Sequence, residues 1–139
     1  MTAIAQEFHP LPPLGTLVWC KFPQKMGTPG PKARPALVIR VATKQHAVAV
    51  IYGTSKKLNK IYPTEFAIRK GEPGFPLSNL DEDTKFDTET FVQLPYDDDW
   101  FQIAPPLGAD IPMTPELGVL HPNYFPALRK AASNAKNFV

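Results

Sequence analysis

The sequence predicts a mainly β domain with one C-terminal helix. Short apolar runs of β type, bounded by Gly and Pro, recur through most of the chain. Seventeen prolines among 139 residues leave little room for long helices. The best helical spacing of apolar residues falls at the end, over 121–135.

The elements follow in order. Residues 1–14, with His-Pro-Leu-Pro-Pro and no periodicity, read as an extended arm. Gly15 opens the first strand, TLVWCKF at 16–22. The second is RPALVIRV at 34–41 and the third HAVAVIYGT at 46–54. In the third, Ala47, Ala49 and Ile51 alternate with Val48, Val50 and Tyr52, so both faces are apolar and both are buried. PTEFAI at 63–68 is the fourth and KFDTETFVQL at 85–94 the fifth. Between them, 69–84 reads as a long polar loop. After Pro95, the cluster at 97–106 reads as a surface loop with Trp100 and Phe101 folded back as anchors. Pro122 suits a first helical position, and Tyr124, Leu128, Ala131, Ala132 and Ala135 share one helical face. Five short strands with Gly/Pro turns and a terminal helix predict a small SH3-like β-barrel, spanning 15–139 as one domain.

No apolar stretch is long enough for a membrane span, and MTAIAQEFHPLPPLG lacks the charge and apolar pattern of a secretory signal. A lone cysteine, Cys20, fits a reducing cytoplasm and reads as a buried thiol. The net charge of +2 hides a polarity: 1–70 hold eleven Lys/Arg against two Glu, and 71–139 hold four against eleven Asp/Glu. Either the halves neutralise each other across the fold, or the first half meets an anionic partner.

An Arg-Pro pair opens the second strand, with Lys32 beside it and GTPGP at 27–31 in front. Pro35 removes one ladder donor and fixes φ at the strand's start. It also drives Arg34 to extended backbone, so the guanidinium stands at the strand's mouth. Read alone, such an arginine caps the rim or pairs with an acidic residue of the second half. Thr54, after Gly53 and a buried strand, reads alone as a turn threonine.

In their order, GTLVWCKFP at 15–23, KARPALVI at 32–39, VAVIYGTS at 48–55 and Pro-Thr-Glu at 63–65 resemble the PemK/MazF toxins of type II toxin–antitoxin systems. The resemblance covers about residues 15–95. It implies a cytoplasmic homodimer of SH3-like barrels, an endoribonuclease (mRNA interferase) that cuts single-stranded RNA without metal or other cofactor, held in check by a cognate antitoxin. Arg34 and Thr54 match the family's catalytic arginine and threonine. Lys25, Lys32, Ser55, Lys56 and Lys57 flank them as RNA-binding candidates. Asp87 or Glu89 stands where some members place an aspartate, and the register leaves that open. The family's habit puts the dimer contact on a β-edge and the last helix, with Tyr124, Leu128 and Ala132 partly buried there.

His9, His46 and His121 lack metal-ligand spacing, and Asp97-Asp98-Asp99 reads as a solvated acidic turn, so no metal site is expected. Two rival functions use the same barrel. One is a gyrase poison of CcdB type, suggested by the NAKNFV end. The other is a non-catalytic binding module with Trp19, Tyr52 and Trp100 on one groove.

Overall fold

The computed structural model describes residues 4–25, 27–106 and 111–135. Six strands make one curled antiparallel sheet: β1 (Thr16–Cys20), β2 (Arg34–Ala42), β3 (Ala47–Thr54), β4 (Glu65–Ile68), β5 (Thr84–Pro95) and β6 (Glu116–Val119). Their spatial order is β4-β5-β3-β2-β1-β6, a half-barrel with β3 and β2 at its centre. A one-turn helix, α1 (Phe75–Ser78), and a longer one, α2 (Phe125–Asn134), complete the chain.

The central strands are apolar on both sides, and both sides are covered. Leu37 and Ile51 face one cluster with Leu17, Phe86, Leu128 and Ala131, beneath α2. Val38, Val48 and Val50 face the other, with Tyr96 and Phe101. That second face is covered by irregular chain rather than a helix. Residues 96–104 fold back over it, and both Tyr96 and Phe101 are fully buried. The arm then docks on that segment: Phe8 N donates to Tyr96 O at 3.0 Å, and Asp98 N to Gln6 O at 3.0 Å.

Three features depart from the sequence reading. β6 is a sixth strand, paired with β1 through Leu17↔Gly118. The loop 69–84 contains α1, whose Ser78 carbonyl lies so close to Gly118 that a Cβ there would collide with it. The Asn79 amide donates to Leu117 O at 2.8 Å, so α1 seals the outer edge of β6. Last, Tyr124 and Leu128 are buried in the chain's own core, so they cannot be the residues a second copy would cover. The helical segment itself opens as a 3-10 turn, Pro122–Tyr124, before α2 begins.

The ladder between β3 and β5 is interrupted by a bulge. Ile51↔Phe91 and Gly53↔Phe86 are successive pairings of β3 with β5, so Tyr52 alone faces residues 87–90. That bulge is held by one carboxylate: Asp87 Oδ1 accepts from Glu89 N at 3.0 Å and from Thr64 Oγ1 at 3.0 Å, and Oδ2 from Thr90 Oγ1 at 3.2 Å. Among the described residues no helix is long and apolar enough to cross a membrane.

Candidate active site

Arg34 begins β2 and Thr54 ends β3. The two strands pair as Ala36↔Tyr52, so continuing the ladder by two residues sets position 34 opposite position 54. Arg34 also lies opposite Cys20 of β1. Gly53 makes the close approach possible: a Cβ there would come within 2.6 Å of the Phe86 ring and 3.0 Å of the Pro35 carbonyl oxygen.

Two clefts open at this end of the sheet, and Arg34 lines both. One, about 360 Å³, is walled by Phe22, Tyr52, Lys32 and Thr90. Its Phe22 and Tyr52 rings stand 5.3 Å apart, and the Asp87-held bulge brings Thr90 to its edge. The other, about 400 Å³, is lined by Thr54, Ser55 and Trp19 and also by Asp81 and Glu82. Arg34 is exposed, and among the described residues its side chain has no hydrogen bond or ion pair. A guanidinium left open between two clefts carries five unused donors for a planar anion. The rim-pairing alternative therefore fails among the described residues.

Thr54 has a local duty as well: its Oγ1 accepts from Lys56 N at 3.1 Å, which sets the turn after β3. The hydroxyl hydrogen can still be donated. That turn is anchored from below by Lys85, which faces Thr54 across the β3–β5 ladder. Lys85 is buried, and its Nζ meets Glu65 Oε1 at 3.0 Å and donates to Lys60 O at 3.0 Å. Glu65 in turn accepts from Tyr62 N at 2.9 Å, so the ion pair pins the second half of the loop 55–64. Cys20 beside Arg34 is no nucleophile: burial pushes its thiol up to about 12.

The predicted RNA-binding residues divide. Lys32 and Ser55 line the clefts. Lys25, Lys56 and Lys57 are exposed on the flanking loops and line neither. Asp87 serves the bulge, as described. The three aromatics of the binding-module reading do not share a groove: Trp19 lines one cleft, Tyr52 the other, and Trp100 packs on the core. The NAKNFV end lies largely outside the described residues. Sequence reasoning missed Phe22, Thr90 and the Asp81–Glu82 wall. Phe22 follows β1 and Thr90 sits at the β5 bulge, neither marked by its residue type, and the last sits in the loop 69–84, which only the fold brings here. Across the described residues just Lys85–Glu65 and Arg69–Asp83 join Lys or Arg to a carboxylate, so most first-half cations remain open to a partner.

Fold and site define a small half-barrel with a cationic rim. The chain belongs to the PemK-like, MazF-like toxins of type II toxin–antitoxin systems, whose family pattern matches residues 14–95. That match covers β1 to β5 with Arg34 and Thr54, and leaves the arm, β6 and α2 outside it. No individual curated protein matches the chain.

Proposed function

We propose that the protein is the toxin of such a system and acts as a metal-independent endoribonuclease on single-stranded RNA. The observation that carries this is Arg34, unpartnered among the described residues, set opposite Thr54 and lining two clefts. In this reaction the substrate's own 2′-OH attacks phosphorus, leaving a 2′,3′-cyclic phosphate and a 5′-OH. The protein must accept the 2′-proton, hold the charged phosphorane and protonate the leaving oxygen. A guanidinium is not a general base, so Arg34 serves to stabilise the phosphorane. Thr54 donates to a nonbridging oxygen. Asp81 and Glu82 are the carboxylates that line a cleft together with Arg34 and Thr54, which makes them the candidates for accepting the 2′-proton.

Electrostatics also orients the strand. The acidic wall repels phosphate, so the backbone runs on the Lys32–Arg34 side. A base unstacked there meets the Phe22–Tyr52 rings, a surface suited to stacking. The partners that fit are RNA and the acidic, disordered segment of an antitoxin laid over Arg34. A homodimer in the cytoplasm, formed through a β-edge and the outward side of α2, completes the reading.

The test is single-turnover cleavage of a mixed-sequence RNA in EDTA, with end-group analysis. Arg34→Ala should lower the rate ~10²–10³-fold while binding falls much less. Thr54→Val should cost about tenfold, one neutral hydrogen bond in the transition state. Lys57→Ala should weaken binding modestly and lessen its salt dependence. A wild-type rate in folded Arg34→Ala removes Arg34 from the chemistry. A folded wild type that cuts no RNA returns the choice to a gyrase poison or a binding module.

A further inference from the structure

At the far end of the β2–β3 hairpin a second cluster stands apart from the clefts. β2 is nine residues long, so at ~3.3 Å per residue its two ends lie roughly 26 Å apart. Glu7 and His9 are two apart on the extended arm, so they project to one side. Glu7 forms a bridge with Asp97, which holds the arm in place. His46 closes the turn between β2 and β3 with a left-handed backbone, φ 50°. It points into the arm: its Nε2 is 2.8 Å from the Phe8 carbonyl oxygen, and its ring centroid 4.4 Å from that of His9.

One ligand atom each from Glu7, His9 and His46 lies within 4.8 Å of the others. His9 Nε2 and Glu7 Oε1 are 3.5 Å apart. Two ligands at ~2.0–2.1 Å from a tetrahedral zinc stand about 3.4 Å apart, so this pair already has the required spacing. The third ligand must close by at most about 1.4 Å, within reach of side chains that are exposed or half-buried. The contact of His46 Nε2 with the Phe8 carbonyl holds the ring in a fixed orientation beside the arm, as outer-shell partners orient metal-binding histidines.

We propose that Glu7, His9 and His46 bind one divalent transition ion of the Zn²⁺ class, water filling the open position, and that the ion clasps the arm to the β2–β3 turn. Two imidazoles and one carboxylate select such an ion over Mg²⁺ or Ca²⁺, which prefer oxygen ligands. The bland role of the cluster, a hydrogen bond and a ring contact that dock the arm, needs no ion and predicts no metal affinity. The sequence reading found no metal spacing because the two histidines are far apart in the chain and meet only through the fold. The site is independent of the RNA chemistry, which lies at the other end of the hairpin.

The test uses the full chain, stripped with chelator and then competed for Zn²⁺ against a chromophoric chelator. One Zn²⁺ per chain is expected, Mg²⁺ giving none, and Co²⁺ giving the visible absorption of a tetrahedral site. His9→Gln and His46→Gln should each weaken binding roughly 100-fold, since a lost ligand costs at least what a lost outer-shell partner does. His121→Gln, outside the cluster, should leave it unchanged. Zinc should raise the Tm of the wild type and of His121→Gln only. Should His46→Gln fail to fold by circular dichroism, His9→Gln, on the exposed arm, decides the matter. No zinc bound by the wild type, or equal zinc affinity in wild type and His9→Gln, overturns the site.

Discussion

The two ends of the β2–β3 hairpin are finished in opposite ways. At the closed end the chain turns back on itself and engages its main-chain groups. Tyr96 N donates to His46 O, Phe8 N to Tyr96 O, and the Tyr96 ring packs on Phe8 and Phe101. At the open end the covering chain stops short, leaving an exposed arginine above two clefts. The closed end is held by ring packing and main-chain bonds. The open end rests on a buried ion pair, Lys85–Glu65, that fixes the loop beside Thr54. Order at one end and vacancy at the other is the arrangement expected when one end carries structure and the other receives a ligand.

Breaking the ion pair should give the largest effect. Lys85→Met leaves the largely buried Glu65 carboxylate, 11% exposed, without its cation, and should cost about 3 kcal/mol in urea unfolding. Lys85→Met with Glu65→Leu should recover most of that, because two apolar groups need no partner. A single variant as stable as wild type would mean that solvent reaches the pair and that the open end does not rest on it. Arg34→Ala sharpens the contrast from the other side. Its exposed side chain supports nothing in the fold, so unfolding should shift by no more than about 0.5 kcal/mol while cleavage collapses. A large stability loss would show that Arg34 is a structural residue.

Alkaline pH probes the buried thiol beside Arg34. Cys20 is raised from 9.0 to about 12 in the fold, so above pH 9 the unfolded chain gives up a proton that the folded one keeps. Stability contributed by the protonated thiol is full below pH 9 and declines as pH rises from there towards 12. At pH 10 the loss should be about 1.4 kcal/mol, read as a steeper pH slope in wild type than in Cys20→Ala. Equal slopes would mean that the thiolate forms as easily in the folded chain. The smallest effect belongs to the closed end. Tyr96 is fully buried, and its hydroxyl has no hydrogen-bond partner among the described residues. Burial also pushes its ionisation upward. Tyr96→Phe removes the orphan and keeps the ring, so it should be neutral or stabilise by up to about 1 kcal/mol. A marked loss would reveal a partner for that oxygen.

What the sequence made legible was local or patterned. β2 and β3 announced themselves by unbroken apolar runs, and the Arg-Pro pair marked the strand mouth. What it hid depended on distant chain. ELGV, four residues with a central glycine, reads as a strand only once α1 leans its backbone on Gly118. Nothing in KFDTETFVQL marked its lysine as buried, yet Glu65 and Lys60 O hold Lys85 inward. Asp87 stood in a suggestive place, but the bulge at 87–90 uses both its oxygens. The Asp81–Glu82 wall belongs to a loop whose course is set by α1, a helix too short for periodicity to reveal.

Gly53 carries a consequence for genetics. It contributes no reactive atom, yet any side chain there must push the Phe86 ring or the Pro35 carbonyl aside and widen the gap between Arg34 and Thr54. A library screened for survivors of the protein's expression should therefore return position 53 alongside 34 and 54, with folded, soluble product. Scored by phenotype alone, a missing methyl group would pass for a catalyst.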